Sequence, residues 1–391
     1  MQASIRNKIE QQQDKYLMPK PDKYILLKQD KWLYILPILL SSLGLLFIYS
    51  ASSYTANKTF GDEFYFVKKQ GYAFIVGLIF MLFFRRISIE KLRKFSLPFY
   101  IVSVVLLLLV FVPVIGVENY GAKRWLNFGL FTIQPSEIAK FSLVLLLADY
   151  MSKRDMSSFF NVLVCLLFGG IMCVAIILEP NMSITVCVGL VLITMILIGG
   201  CSIKHFFLIF IPCLMLVPLM ILVEPYRLER LKAFINPWND VLGEGYQLIQ
   251  SYYSLASGGL FGVGLFNSRQ KYMFLPFAES DFIFAIIGEE LGFVGATLVA
   301  LMFLKYMFEG FKVAKRACNR FDCYLAIGIT LVITFQSILN IAVVCGAIPP
   351  TGLPLPYISS GGSSLVCFLV ASAILQNISF RSFSTQKFLT P

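Results

Sequence analysis

Apolar runs of about 20 residues recur along this chain, and each could cross the hydrocarbon core of a membrane as a helix. Only 14% of the 391 residues are charged and 58% are hydrophobic, which leaves too little polar surface for a soluble protein. The sequence therefore predicts an all-α polytopic membrane protein with about ten transmembrane helices. The runs fall near residues 32–51, 70–85, 97–116, 133–151, 158–178, 182–200, 205–223, 283–307, 324–346 and 361–380.

Cations between the runs predict the side of the membrane on which each loop lies, because cytoplasmic loops carry an excess of Lys and Arg. With both ends of the chain cytoplasmic, the inner segments hold about twice as many Lys and Arg as the outer loops. This orientation predicts a cytoplasmic tail at 1–31, a membrane domain at 32–380 and a cytoplasmic tail at 381–391. Residues 224–282 then form one long extracytoplasmic loop, in which stretches such as ERLKAFINPW indicate short interfacial helices.

Charge and motifs exclude several classes of function. The net charge of +11 comes from basic residues scattered between apolar runs, which favours contact with membrane lipid and not with nucleic acid. The sequence lacks a P-loop, a dinucleotide glycine fingerprint and a cluster of metal ligands. It has one histidine, predicted at a cytosolic helix end, so a Ser-His-Asp triad cannot form outside. A base acting outside must be a carboxylate.

Ionisable residues within apolar runs are functional candidates, because burying them in a membrane is costly. In QPSEIAKFSLVLLLADY, Glu137 and Lys140 are three residues apart and share a helix face, where they can neutralise each other. An ion pair that only fixes helix packing is the alternative.

The stretch FLPFAESDFIFAIIGEELG, residues 274–292, places a second acidic group where the long loop becomes a helix. Ser280 or Asp281 could cap this helix. A carboxylate at a helix mouth could equally accept a proton from a hydroxyl group. The residues alone leave both interpretations of Asp281 open. A cap does not account for Glu290 or for Glu289, which lies about 12 Å deeper in apolar surroundings.

Three stretches resemble, in order, the motifs of the SEDS family, which includes FtsW, RodA and SpoVE. NYGAKRWLNFGLFTIQPSEIAKFSLVLLLADY resembles G-A/S-x-R-W…Q-P-S-E-x-x-K. GYQLIQSYYSLASGGLFGVGLFNSRQKYMFLPFAESDFIFAIIGEELGFVG resembles the block from the long loop to the eighth helix, and PPTGLPLPYISSGGSSLV resembles P-x-T-G-x-x-L-P-x-x-S-x-G-G-S-S. The resemblance covers nearly the whole chain, and SRQK and FYFVKKQ are closer to FtsW and SpoVE than to RodA.

The resemblance implies a peptidoglycan glycosyltransferase of the bacterial cytoplasmic membrane that serves cell division or sporulation. Such an enzyme joins lipid II disaccharides outside the membrane and releases undecaprenyl pyrophosphate. The partners it implies are lipid II, polyprenyl-linked glycan, a class B penicillin-binding protein, and divisome, elongation or sporulation proteins. A lipid II flippase and a scaffold for the penicillin-binding protein are the alternative functions.

The family's loop Asp falls on Asp281, and the Glu and Lys of its Q-P-S-E-x-x-K motif fall on Glu137 and Lys140. We expect Asp281 to be the general base, with inversion at the sugar, and Glu137 to orient Lys140. The sequence shows no dedicated set of metal ligands, and Mg²⁺ or Mn²⁺ could assist at the phosphates. The expected pyrophosphate-binding cations are Lys123, Arg124, Lys140, Arg269 and Lys271, and the expected supporting residues are Glu279, Ser280, Glu289 and Ser363.

The sequence departs from the family pattern at three places. The Glu usual after Leu-Pro is Phe277, and the nearest acidic residue, Glu279, lies two positions later. The turn Q-P-D-x-G-T reads EPNMSI at residues 179–184, so its Asp is lost and a Glu stands first. The tyrosine of S-Y-G-G is Ser360. These changes indicate a divergent branch of the family.

Overall fold

The computed structural model describes residues 30–113, 115–119, 122–129, 132–208, 211 and 225–389. Most of the predicted N-terminal tail and most of the seventh apolar run, 205–223, therefore lie outside the described residues. The helices are α1 (Trp32–Phe60), α2 (Tyr65–Phe84), α3 (Ile89–Lys94), α4 (Ser96–Leu109), α5 (Pro135–Lys153), α6 (Phe159–Leu178), α7 (Met182–Ile198), α8 (Pro225–Ile235), α9 (Tyr246–Gly258), α10 (Ile283–Arg316), α11 (Arg320–Val344) and α12 (Gly362–Leu389). A 3₁₀ helix, Pro237–Asp240, joins α8 to α9.

Within the described ranges, six helices are long and apolar enough to cross a membrane, namely α1, α2, α6, α10, α11 and Gly362–Ser382 of α12. Helices α4 and α7 are apolar but shorter. Helix α5 coincides with the fourth predicted run and carries Glu137 and Lys140 on its first turns. The chain is a multi-pass helical membrane protein, as predicted, while the number of about ten spans stays a prediction.

The all-α prediction was wrong in one place, because a small antiparallel sheet lies between α4 and α5. Its strands are β1 (Gly116–Asn119), β2 (Ala122–Asn127) and β3 (Thr132–Ile133), in the order β1-β2-β3. The third apolar run was also predicted too long, since its helix ends at Leu109. β3 has only two residues, and AKRWLN in β2 does not alternate apolar and polar side chains, which is the pattern by which a strand is recognised in sequence.

Helix α11 lies at the centre of the bundle, where it packs against α5, α7, α10 and α12. Most of its side chains are buried, including the polar Gln336 and Asn340. At the periphery, α2 packs on α12 and exposes Ile79 and Phe83. A membrane helix can be apolar on both its protein and its lipid faces, because lipid tails are as apolar as a protein core. Polar residues are therefore the better guide to the interior here.

Helix α10 is broken at Gly292, whose φ of 68° and ψ of −169° are not helical. The break frees backbone groups that must find partners at membrane depth. Residues 259–264 supply them: Val263 and Gly264 donate to the carbonyls of Glu289 and Glu290, and Phe293 and Val294 donate to residues 259 and 260, at 2.9–3.1 Å. The loop before α10 is thereby anchored inside the bundle.

Candidate active site

Asp281 lies in the loop just before α10 and does not cap that helix. The N-cap is Phe282, and no side chain bonds to the free N–H groups of this helix end. The Ser280 hydroxyl instead donates to the carbonyl of Phe277, at 3.3 Å. The capping interpretation of Ser280 and Asp281 was therefore wrong, and the Asp281 carboxylate is available for another role.

The backbone around Asp281 is fixed by α11 and by the loop that precedes α12. Asn340 donates from Nδ2 to the carbonyls of Asp281, at 2.8 Å, and Leu353, at 2.7 Å. Gly352 has a φ of +73°, and a Cβ there would lie 3.3 Å from Asp281 Oδ2. A glycine at this position thus lets the backbone approach the carboxylate closely.

The serine-rich stretch before α12 binds the same loop. The Ser359 hydroxyl donates to the carbonyl of Ser280, at 2.6 Å, and the Ser360 N–H donates to the carbonyl of Glu279, at 2.9 Å. Because the bond from Ser360 comes from its backbone, the departure from tyrosine at this position leaves it intact. Ser280 and Glu279 thus support the position of Asp281 through their carbonyl groups.

Burial and nearby charges together set the pKa of Asp281. Burial raises the pKa of Asp281 to about 6, against the attraction of Arg230 and Arg124 and with a further upward contribution from Glu279. Burial also raises the pKa of the Glu279 carboxyl. A carboxylate with a pKa near 6 is ionised at neutral pH yet more basic than an ordinary aspartate, which suits a general base.

Arg124 is the sequence-predicted cation that the structure brings to Asp281. Its Nε donates to the carbonyl of Glu179, at 3.2 Å, and its Nη2 donates to that of Pro180, at 2.5 Å. Lys123 precedes Arg124 on β2, where the pairing with β1 is irregular, and its role as a pyrophosphate ligand stays a prediction.

Arg230 of α8 is a second cation near Asp281, and the sequence analysis missed it. Its Nε lies 3.3 Å from Oε2 of Glu244, and its Nη1 donates to the carbonyl of Pro350, at 3.5 Å. The only signal was the amphipathic pattern of ERLKAFINPW, which does not tell which of its cations faces the membrane domain.

Glu137 and Lys140 form a fully buried ion pair, with 3.0 Å between Oε2 and Nζ. Lys140 also donates to Oε1 of Gln336, at 2.5 Å, and its Nζ lies 5.1 Å from the ring centre of Phe368. Gln336 in turn donates to the carbonyl of Pro354, at 2.9 Å. These contacts fit the helix-packing interpretation, and contact of Lys140 with pyrophosphate stays a prediction.

Ser364, one residue beyond the predicted Ser363, is the serine that reaches this ion pair. Its hydroxyl donates to Oε2 of Glu137, at 2.9 Å. The Ser363 hydroxyl accepts from the N–H of Gln134, at 3.4 Å, just before α5. In a run of consecutive serines, only the helix phase decides which hydroxyl faces the ion pair.

Glu289 is surrounded by polar groups, not by the apolar side chains that were expected. Its Oε2 accepts from the hydroxyls of Ser268, at 2.5 Å, and Ser254, at 3.3 Å, and its Oε1 accepts from the N–H of Arg269, at 3.0 Å. Glu290 accepts from the Ser50 hydroxyl and, at 3.3 Å, from the N–H of Ser268. Both glutamates therefore hold the loop before α10 in place.

Lys271 is nearly buried in that loop and donates from Nζ to the carbonyl of Phe266. Its Nζ also lies 5.6 Å from the ring centre of Tyr272. The side chain of Arg269 is exposed. The roles of Lys271 and Arg269 as pyrophosphate ligands stay predictions.

Within the described ranges, no three His, Cys, Asp or Glu side chains come together as a metal-binding group. Asp281 and Glu279 act on each other near Arg230 and Arg124, whose positive charges do not suit a resident metal cation. We therefore assign no step to a metal, and a role for Mg²⁺ or Mn²⁺ at the phosphates stays a prediction.

Comparisons with known proteins identify the family to which this chain is similar. A family model for FtsW, RodA and SpoVE, described as "Cell cycle protein", matches residues 31–383. Stage V sporulation protein E of Bacillus subtilis is 39% identical over 353 residues, which cover 89% of this chain and 96% of that protein. The probable peptidoglycan glycosyltransferase FtsW of Geobacter metallireducens is 36% identical over 356 residues, which cover 90% and 94%.

Solved structures share the fold. One described as "Structural coordination of polymerization and crosslinking by a peptidoglycan synthase complex" superposes with a TM-score of 0.76 at 26% identity, covering 92% of this chain and 99% of the other. The rod shape determining protein RodA of Thermus thermophilus superposes with a TM-score of 0.68 at 24% identity, covering 91% and 98%. The chain therefore belongs to the FtsW, RodA and SpoVE family, whose members are the SEDS proteins.

Proposed function

We propose that the chain is a peptidoglycan glycosyltransferase that polymerises lipid II at the outer face of the bacterial cytoplasmic membrane. Relatives that match along nearly their whole length carry the name of this activity. The observation that carries the proposal is Asp281: it does not cap α10, it lies near Arg124 and Arg230, and its pKa is raised to about 6. The decisive experiment compares lipid II polymerisation by the purified wild-type chain and by its Asp281→Ala variant.

In this reaction, the 4-hydroxyl oxygen of the acceptor GlcNAc attacks the anomeric carbon of the donor. The bond between that carbon and the pyrophosphate oxygen breaks, and the hydroxyl proton passes to Asp281. Attack from the face opposite the leaving group inverts the anomeric centre. Arg124 and Arg230 stabilise the negative charge that develops on the departing pyrophosphate. Because pyrophosphate leaves as a stable anion, no general acid is required.

This function fits the membrane topology expected from the sequence. About ten spans with cytoplasmic termini place residues 224–282, and with them Asp281, outside the membrane. The tails are then residues 1–31 and 381–391, and the membrane domain is 32–380. Exposed apolar side chains on α2 and α4 leave surfaces for polyprenyl chains as well as for membrane lipid.

A class B penicillin-binding protein is the partner that we propose, with proteins of division, elongation or sporulation around it. Support comes from the solved structure described as coordinating polymerization and crosslinking in a peptidoglycan synthase complex. A flippase would need ionisable residues along a path, but Glu137 and Lys140 are fully buried and paired with each other. The pairing therefore favours the enzyme.

We expect the polymerisation rate to depend on pH through Asp281. A base must be ionised, and with a pKa raised to about 6 the carboxylate is lost as the pH falls through that value. The rate should therefore be nearly constant above about pH 7 and fall roughly tenfold per pH unit well below 6. Initial rates in buffers of constant ionic strength measure this, and melting temperatures at each pH control for unfolding. A rate that is constant down to about pH 4.5 would contradict the assignment.

Replacing Arg230 by glutamine should move this pH profile. Loss of its positive charge removes an attraction that lowers the pKa of Asp281, so the acid limb should shift to higher pH. The matched control is Lys232→Gln, which removes an exposed cation from the same helix and should leave the profile in place. Equal shifts in both variants would mean that Arg230 acts only through the overall charge of α8.

A further inference from the structure

Glu179, in the turn between α6 and α7, is completely buried. Neither of its carboxyl oxygens has a hydrogen-bond partner within the part of the chain that the structure describes. Native structures satisfy nearly all their buried polar groups, since each unsatisfied one destabilises the fold. The carboxyl of Glu179 is therefore open to a hydrogen-bond partner beyond the described residues.

The turn does not need this carboxyl group in order to fold. Asn181 is the N-cap of α7, and its Oδ1 accepts from the N–H of Ile184, at 3.4 Å. The N–H of Glu179 continues α6 by donating to the carbonyl of Ile176, at 3.2 Å. Arg124 holds the backbone of the turn through the carbonyls of Glu179 and Pro180. In this chain the acidic residue of the turn thus stands at 179, where the motif has Gln, and the cap at 181 is uncharged.

Two observations place this turn near the loop of Asp281. The charge of Arg124 acts on the carboxyls of both Glu179 and Asp281. On the other side, Ser183 donates from its hydroxyl to the carbonyl of Thr351, the residue before Gly352, and Gly352 faces Asp281 Oδ2. The turn that carries Glu179 therefore lies next to the loop that contacts Asp281.

The charges around Glu179 indicate which kind of ligand it can bind. The guanidinium of Arg124 repels a metal cation, so a metal ion does not suit this position. Burial, opposed by Arg124, raises the pKa of Glu179 to about 8, so the group is largely protonated at neutral pH. A neutral carboxyl group both accepts and donates hydrogen bonds, as sugar hydroxyls and N-acetyl groups do.

We propose that Glu179 binds a hydroxyl or N-acetyl group of the lipid-linked sugar in the region shared with Asp281. This inference rests on the proposed glycosyltransferase function, from which the sugar ligand is taken. Glu179 positions the sugar and exchanges no proton with it, so its loss should weaken substrate binding more than it slows the chemical step.

The test measures lipid II binding to the full-length chain in nanodiscs, with Asp281→Ala present in every variant so that no polymer forms. With Glu179→Ala we expect the Kd to rise about tenfold, the range expected when a hydrogen bond to a ligand is lost. Glu179→Gln keeps a neutral group with a donor and an acceptor, and it should bind within about threefold of the parent. Glu229→Ala, which removes an exposed glutamate from α8, is the matched control.

The melting temperature distinguishes a role of Glu179 in binding from a structural role. Removing an unsatisfied buried carboxyl should leave the melting temperature of Glu179→Ala unchanged or higher. An unchanged Kd, or a lower melting temperature together with equal loss in Glu179→Gln, would overturn the inference. If the chain with Asp281 intact forms no polymer while Glu179→Ala still weakens lipid II binding, the proposed enzyme function fails and the binding role of Glu179 stands.

Discussion

Replacing Asp281 by alanine is expected to lower the rate of lipid II polymerisation by about 10²–10⁴-fold, the usual contribution of a general base. No helix cap is lost with it, since Asp281 makes no capping bond to α10. The protein should therefore fold, and its affinity for lipid II should change far less than the rate. Glycan products from purified wild-type and variant proteins, separated by length, measure the effect.

Ser280→Ala is the matched control, because it removes a polar side chain from the adjacent position but leaves the bonded carbonyl of Ser280 in place. This variant should keep its rate within about threefold of the wild type. A scaffold would predict a different result, namely that Asp281→Ala still supports growth of cells lacking the native gene. Polymer formed at the wild-type rate by Asp281→Ala would exclude this residue as the base.

Replacing Lys140 by alanine is expected to destabilise the protein by about 3–5 kcal/mol, because Glu137 is left buried without its counter-charge. The hydrogen bond from Lys140 to Gln336 is also lost. Gln336, which donates to the carbonyl of Pro354, is then held less firmly. Thermal unfolding of the purified protein, followed by tryptophan fluorescence, measures the change. Activity at a permissive temperature should fall with the folded fraction.

The control is Lys312→Ala, which removes an ion-paired lysine from α10. Lys312 pairs with Asp30 and Glu309 but its side chain is 42% exposed, so its loss should cost less than about 1 kcal/mol. The double replacement Glu137→Gln with Lys140→Met leaves no unpaired charge and should recover more than half of the loss. If Lys140→Ala melts like the wild type but binds lipid II weakly, Lys140 contacts the phosphates and the packing role is wrong.

Membrane class and the positions of the apolar helices were predictable from the sequence, because crossing hydrocarbon requires a run of fixed length. The described part of the 224–282 loop contains short helices, as its amphipathic stretches indicated. The small sheet was not predictable, since its strands are held by pairing with each other and not by an apolar pattern. Asp281 was found by its position at a helix mouth and by resemblance to a family, and the residues alone left capping open.

Partnerships between distant residues were decided only by the tertiary structure. Arg230 lies about 50 residues before Asp281 in a loop with other cations, and only folding brings its charge to that carboxylate. Glu289 and Glu290 receive donors from a loop that fills the break in α10. By contrast, the sequence by itself determined the ion pair of Glu137 with Lys140, because three residues are one helical turn. Local spacing is set by helix geometry, whereas contacts between distant side chains depend on how separate helices and loops pack.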